Sequence, residues 1–221
     1  MAAIPPLLKG RDVLAMAATG TGKTAAFALP LLHKLNPDAR ANERTAALVL
    51  VPTRELAMQV AEAIHRYGKP LGVHVLAIYG GAPMEPQLKA LKRGVDVVIA
   101  TPGRALDHLR RKSLSLAHVK VVVLDEADEM LDMGFADDLE AILESTPKDR
   151  QTALFSATIP PRINAIASGH LNNPVRVRID REIVADGATA RVRQVAYVVT
   201  RNHKMAALGR VLDVESPTAA I

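Results

Sequence analysis

The sequence predicts an α/β fold: a mostly parallel β-sheet with helices on both faces. Two observations predict it. Short apolar runs alternate with longer segments of helical periodicity over residues 1–180. The apolar runs are near-continuous rather than alternating, as strands covered on both faces require. Repeated strand–helix units then cross over right-handedly onto one sheet. In such sheets ligands gather at the carboxyl ends of the strands.

Taken in order, DVLAMA (12–17) reads as the first strand and opens into a glycine-rich stretch, followed by a helix over 23–35. AALVLV (46–51) is the second strand, and residues 54–66 the next helix, with Leu56, Val60, Ala63 and Ile64 on one face. Strands VHVLAIY (73–79), VDVVIA (95–100), VKVVVLD (119–125) and QTALFSA (151–157) follow, with helices over 85–93, 103–112 and 135–144 between them. After Asp180 the pattern changes. Residues 181–191, REIVADGATAR, mix both charges with small residues and read as a linker. VRQVAYVV (192–199) reads as a strand, 202–214 as a helix and TAAI (218–221) as a strand barely begun.

Composition narrows the function. The chain has 221 residues, 49% of them hydrophobic, and no cysteine, which excludes disulfides and thiolate metal sites. No apolar run reaches the ~20 residues of a membrane span, and MAAIPPLLKGRD does not read as a secretory signal. A soluble, cytoplasmic protein is expected. The net charge of +5 suits a phosphate-bearing partner. Three Tyr, three Phe and no Trp leave little on which to stack bases, so any nucleic-acid contact should go mainly to the sugar–phosphate backbone.

MAATGTGKT (16–24) joins the first strand to a helix. Glycines let successive N–H groups converge on a phosphate chain, so Ala18, Thr19, Gly20, Thr21, Gly22, Lys23 and Thr24 are the candidate nucleotide-binding residues. Lys23 brings positive charge to the terminal phosphates, the Thr24 hydroxyl can ligate Mg²⁺, and the helix start adds its dipole. The strict pattern asks for glycine where Ala17 stands; the alternative reading is a plain glycine-rich turn. VVVLDEADEML (121–131) crowds Asp125, Glu126, Asp128 and Glu129 at the end of an apolar strand, so something positive should face them. A nucleotide-bound Mg²⁺ answers that need. Asp125 holds it, through water, opposite Thr24, and Glu126 orients or deprotonates the attacking water. The competing reading, acidic residues in a helix's first turn, suits Asp128 and Glu129 better than Asp125.

Three more clusters fall at strand ends. In PTRELA (52–57), Pro52 and Thr53 lead into a helix start beside Arg54, a combination suited to a backbone phosphate. Thr101, Pro102, Gly103 and Arg104 repeat the device one strand over, and Gly80 and Gly81 permit close backbone approach. The alternative for Arg54 or Arg104 alone is a helix cap or surface ion pair. Ser156 and Thr158 sit where their hydroxyls reach Asp128, or equally cap a helix after Pro160.

AATGTGKT, PTRELA, GG, TPGR, DEAD and SAT in this order resemble the first RecA-like domain of a DEAD-box RNA helicase, most closely the bacterial cold-shock type, over nearly the whole chain. The resemblance implies an ATP-dependent RNA helicase using ATP and Mg²⁺, with Lys23, Asp125 and Glu126 catalytic. It implies that residues 52–54, 80–81 and 101–104 line the RNA path, and that Asp128, Ser156 and Thr158 couple hydrolysis to strand separation. The family's adenine-reading glutamine lies upstream of MAAIPPLLKGRD, and residues 192–221 resemble the truncated start of its second α/β, RecA-like domain, most of which lies beyond Ile221. A fragment is therefore expected, one that binds nucleotide weakly, hydrolyses it very slowly and unwinds nothing alone. Two other readings stand beside this one: a P-loop small-molecule kinase, which leaves Arg54, Gly80, Gly81 and Arg104 without shared purpose, and a non-catalytic nucleotide-binding fragment.

Overall fold

In the computed structural model, residues 2–18, 20–35, 45–179 and 195–218 are described. The chain divides into two compact units, Met1–Arg181 and Glu182–Ile221. Among its described residues the first contains seven strands: β1 Val13–Ala17, β2 Ala47–Leu50, β3 Val75–Ile78, β4 Val97–Ala100, β5 Val121–Leu124, β6 Gln151–Ser156 and β7 Val175–Ile179. Eight described α-helices accompany them: α1 Ile4–Leu8, α2 Lys23–Lys34, α3 Arg54–Gly68, α4 Met84–Lys92, α5 Pro102–Arg110, α6 Ala127–Asp132, α7 Ala136–Glu144 and α8 Pro161–His170. All strand pairs are parallel, in the order β3-β4-β2-β5-β6-β1-β7.

Side-chain alternation splits the core between the sheet's two faces. In β5, Val121 and Val123 join Val49, Phe155, Phe27, Val60 and Ile64 on the α2/α3 side. Val122 and Leu124 join Leu50, Leu154, Met130, Leu139 and Ile163 on the other, against α6, α7 and α8. Phe27 and Phe155 meet at 5.5 Å between ring centroids, tilted by 52°. Double coverage explains why β2, β4, β5 and β6 are buried at every position.

The six strands expected from the sequence form, each trimmed by a residue or more. β7 departs from the expectation of continuous apolar runs: VRVRI alternates valine with arginine and pairs only with β1, at the sheet edge. Exposed Arg176 and Arg178 also guard that edge against further strand addition.

In the second unit, Lys204–Glu215 forms α9, preceded by a 3₁₀ turn at Arg201–His203. The strand expected over 192–199 does not form in its described part, 195–199, which has no ladder partner among the described residues; a strand without one leaves its backbone to water. The expected linker 181–191 and most of TAAI lie outside the described residues, and Thr218 is not in a strand.

Candidate active site at the carboxyl ends of the strands

Parallel strands send every chemical cluster to one edge of the sheet. In spatial order that edge carries the ends of β3 (Gly80, Gly81), β4 (Thr101–Arg104), β2 (Pro52–Arg54), β5 (Asp125–Asp128), β6 (Ser156–Thr158) and β1 (the glycine-rich loop). The clusters alternate in sequence but sort in space into two neighbouring groups of three strands.

The loop after β1 is shaped by two glycines in the left-handed region, Gly20 at φ 80° and Gly22 at φ 81°. A Cβ on either would meet nothing within 4 Å, so backbone conformation rather than crowding asks for glycine here. Thr21 Oγ1 donates to the Ala18 carbonyl at 2.8 Å, tightening the turn. Gly22 caps α2, which begins at Lys23. Half-buried Thr24 is the second residue of that helix, and Thr19 lies outside the described residues.

Lys23 is the positive partner of the acidic strand end. Its Nζ lies 3.6 Å from Asp125 Oδ1 and 3.8 Å from Glu126 Oε1. Those separations give Coulomb attraction but exceed hydrogen-bond length, and Nζ is buried with no hydrogen-bond partner. A buried ammonium with unused donors is incomplete. The oxygens of a phosphate chain fit that deficiency. Burial raises the Asp125 carboxyl, with Lys23 and the Glu126 N–H (3.1 Å) opposing. Burial, then its bond with Glu129, pushes Glu126 up to about 7. Glu126 also adopts φ 53° at the cap of α6, a conformation costly for a non-glycine residue and concentrated at functional sites. Among the described residues no group of three or more His, Cys, Asp or Glu could hold a metal. An ion held by Thr24 and Asp125 would therefore have to take its other ligands from phosphate or water, as Mg²⁺ commonly does.

Asp128 ties β5 to β6. Its Oδ2 accepts Thr158 Oγ1 and Thr158 N–H, both at 2.8 Å, while its own N–H donates to Ser156 Oγ at 3.2 Å. Helix α8 has no side-chain cap, so of the two readings of these hydroxyls the bond to Asp128 is the one formed. Burial would raise the Asp128 carboxyl, but Thr158, Ser156 and two backbone N–H groups hold it below the ordinary 3.8. Stability from this network is therefore present above pH 3.8 and lost as pH falls through the lower folded value. Thermal unfolding of Asp128→Asn should show a deficit at neutral pH that closes in strong acid. A constant deficit would mean that the carboxylate charge is not what the network uses.

On the other group of strands, Thr53 caps α3 by accepting Leu56 N–H at 3.2 Å. Exposed Arg54 is held over the Tyr79 ring, 5.5 Å from its centroid. The N–H groups of Arg54 and Glu55 open the helix and have no intrahelical acceptor. Thr101 precedes α5 without a side-chain cap, buried Pro102 begins that helix, and Gly103 is exposed. A Cβ on Gly80 or Gly81 would meet nothing within 4 Å, so the close backbone approach expected of the pair is not found, and only the φ of 75° at Gly81 asks for glycine. Arg104 differs from the outward guanidinium expected: it turns inward, donating to Ala82 O (3.2 Å) and Gln87 Oε1 (3.1 Å).

That inward turn exposes a network that sequence reasoning missed. Gln87 Nε2 donates to Tyr79 O at 3.3 Å, and Gln87 Oε1 also contacts His108 Nε2 at 3.0 Å. His108, fully buried, meets Ser113 Oγ at 2.8 Å through Nδ1. Together these side chains fix the glycine-pair loop against α5. Burial, then the Arg104 charge, lowers the His108 pKa and keeps the ring neutral. His108→Ala should cost ~2 kcal/mol in urea unfolding by leaving Gln87 under-partnered in a void. The deficit should shrink as pH falls below the ordinary 6.5, where burying a neutral ring becomes unfavourable. An unchanged midpoint would show that the network carries no stability.

Comparison with known proteins places the chain. A family model described as DEAD/DEAH box helicase matches residues 1–166. The chain is 51% identical over 221 residues to a protein named ATP-dependent RNA helicase DeaD from Buchnera aphidicola subsp. Baizongia pistaciae, covering all of this chain and 36% of that protein. It is 47% identical to RNA helicase CrhR from Synechocystis, covering 99% of this chain and 43% of that one. The solved structure of a DEAD box protein from the hyperthermophile Methanococcus jannaschii superposes with a TM-score of 0.75 at 40% identity, covering 96% of this chain and 55% of that one. The chain spans well under half the length of both curated relatives.

Proposed function

Because the chain belongs to the DEAD/DEAH box helicase family, we propose that it is the ATP-binding part of an ATP-dependent RNA helicase, working with a second RecA-like domain. One observation carries the reading: a buried lysine ammonium without a hydrogen-bond partner, between a glycine-rich loop and two strand-end carboxylates. Neither the small-molecule kinase nor the non-catalytic reading is favoured by that family membership. No described helix is long and apolar enough to cross a membrane, and we place the protein in the cytoplasm.

In this reading the N–H groups of residues 18–22 and the Lys23 ammonium hold the phosphates of ATP. Mg²⁺, when bound through Thr24 and Asp125, neutralises charge on the transferred phosphoryl group. Glu126, close to half-protonated near pH 7 in the nucleotide-free protein, orients the attacking water and takes its proton. Arg54 and the helix starts at Thr53 and Thr101–Gly103 bind RNA phosphates, with Pro52 and Pro102 setting those starts. Arg104 shapes the loop bearing Gly80 and Gly81 rather than reaching for the strand itself. Asp128, bonded to Ser156 and Thr158, couples the two groups of strands.

The test joins this segment to its continuation and measures ATP hydrolysis with and without RNA. RNA-stimulated turnover should appear only in the joined protein, because transition-state arginines supplied by a partner contribute about 10³- to 10⁵-fold. Brisk RNA-stimulated hydrolysis by the 221-residue chain alone would refute the dependence on a second domain. A joined protein with no RNA-stimulated hydrolysis would refute the helicase reading.

A further inference from the structure

The opposite end of the sheet holds a second cation-rich environment. The residues leading into the parallel strands share one edge: Asp12 before β1, Lys120 before β5 and Asn173 before β7. Strands of four to six residues rise about 3.3 Å per residue, which sets this edge roughly 13–20 Å from the nucleotide site. A cavity of about 960 Å³ opens there, lined by Arg11, Lys34, Lys120, Lys148 and Arg150 against two carboxylates, Asp12 and Asp149.

The imbalance exceeds that count. Asp12 is buried, and its oxygens accept the backbone N–H groups of Thr152 (2.8 Å) and Asn172 (2.6 Å). Among the described residues, none of the five cations is ion-paired with a carboxylate. Lys34 Nζ donates to Gln151 Oε1 at 2.6 Å, and Arg11 Nη2 to Asn173 O at 3.0 Å; both are neutral acceptors. Burial lowers the pKa of Arg150 and of Lys34, with the charge of Asp12 opposing in each case.

Arg150 is the decisive residue. Its Nη1 donates to Pro147 O at 2.8 Å, while Nε and Nη2 are buried without a hydrogen-bond partner. Nε and Nη2 are the parallel donors on one side of the guanidinium, matched to two oxygens of one phosphate. Among the described residues, buried side-chain atoms lacking partners are few: Lys23 Nζ, these two nitrogens and Thr152 Oγ1. The first lies at the phosphate-loop site. The others fall at the far end, in one stretch of chain.

We propose that this cavity is a second phosphate-binding site, in which Arg150 grips a phosphate group bidentately while Lys34, Lys120 and Lys148 supply the surrounding positive field. Its ligand is a free phosphoanion or a backbone phosphate of an RNA strand. No Phe, Tyr or Trp lines the cavity, so bases are not stacked there. The inference does not depend on the helicase reading.

The test silences the phosphate loop with Lys23→Ala, then titrates pyrophosphate and, separately, a short polyuridine RNA into the chain by calorimetry at low salt. Saturable binding is expected and should weaken about tenfold or more on adding Arg150→Gln. Arg150→Lys, which keeps the charge but loses the fork, should weaken it less. Should Arg150→Gln fail to fold, the exposed pair Lys120→Gln and Lys148→Gln should weaken the same binding several-fold. Arg150-dependent pyrophosphate binding identifies a free phosphoanion as ligand, and Arg150-dependent RNA binding alone identifies a strand phosphate. Binding of neither probe, or binding unmoved by both sets of variants, overturns the proposal.

Discussion

Lys23→Ala should abolish Mg-nucleotide binding at the phosphate loop, a loss of about 100-fold or more in affinity there. Lys23 Nζ is the one charged donor in the loop, it is sealed from water, and none of its hydrogens is used inside the protein. A phosphate oxygen therefore competes only with the long contacts to Asp125 and Glu126. With alanine there, the same phosphates would face Asp125 and Glu126 with no intervening positive charge. Calorimetric titration of the folded variant checks this. An affinity equal to that of the unsubstituted chain would contradict the phosphate role and leave the buried lysine as a counterion only.

Glu126→Gln, placed in the complete protein, should keep ATP and RNA binding while turnover falls by about 10²- to 10⁴-fold. Glutamine preserves the shape at the cap of α6 but cannot take a proton. Binding persists because the phosphate contacts belong to the loop and Lys23. Near-normal turnover would move the water-positioning role to another residue. The substitution also has a signature in the nucleotide-free chain. The Glu126 carboxyl is raised from 4.5 to about 7, so between those values the folded state holds the extra proton. Stability from that group is full below pH 4.5 and declines as pH rises through 7. Glu126→Gln removes the decline, so its melting temperature should gain on the parent between pH 5 and pH 8. A gain independent of pH would assign the effect to something other than this carboxyl.

What could be read from the sequence was whatever the residues announce locally. The loop at 17–24, the acidic strand end at 125–128 and the run of buried strands each depend on neighbours in sequence, so composition and spacing expose them. β7 escaped because an edge strand needs no continuous apolar run; Val177 alone in VRVRI is buried. The inward turn of Arg104 escaped for a different reason. It depends on Gln87 and His108, which are 17 residues away and four residues away and are polar groups in a buried network. Neither carries a local signal, because a lone Gln or His reads as surface until a partner is in view. The left-handed Glu126 and the meeting of Lys23 with both carboxylates are likewise long-range outcomes. The crowded carboxylates call for a positive partner but not for its place in the chain; the fold brings the Lys23 ammonium to 3.6 Å from Asp125 and 3.8 Å from Glu126.

The central claim is that the glycine-rich loop and the strand-end carboxylates form one Mg-nucleotide site. The most direct test is a crystal structure of the chain with Mg²⁺ and a non-hydrolysable ATP analogue. The account predicts phosphates wrapped by residues 18–24 in contact with Lys23, and the ion between Thr24 and Asp125. A nucleotide bound elsewhere, or an ion with no path to Asp125, would contradict it.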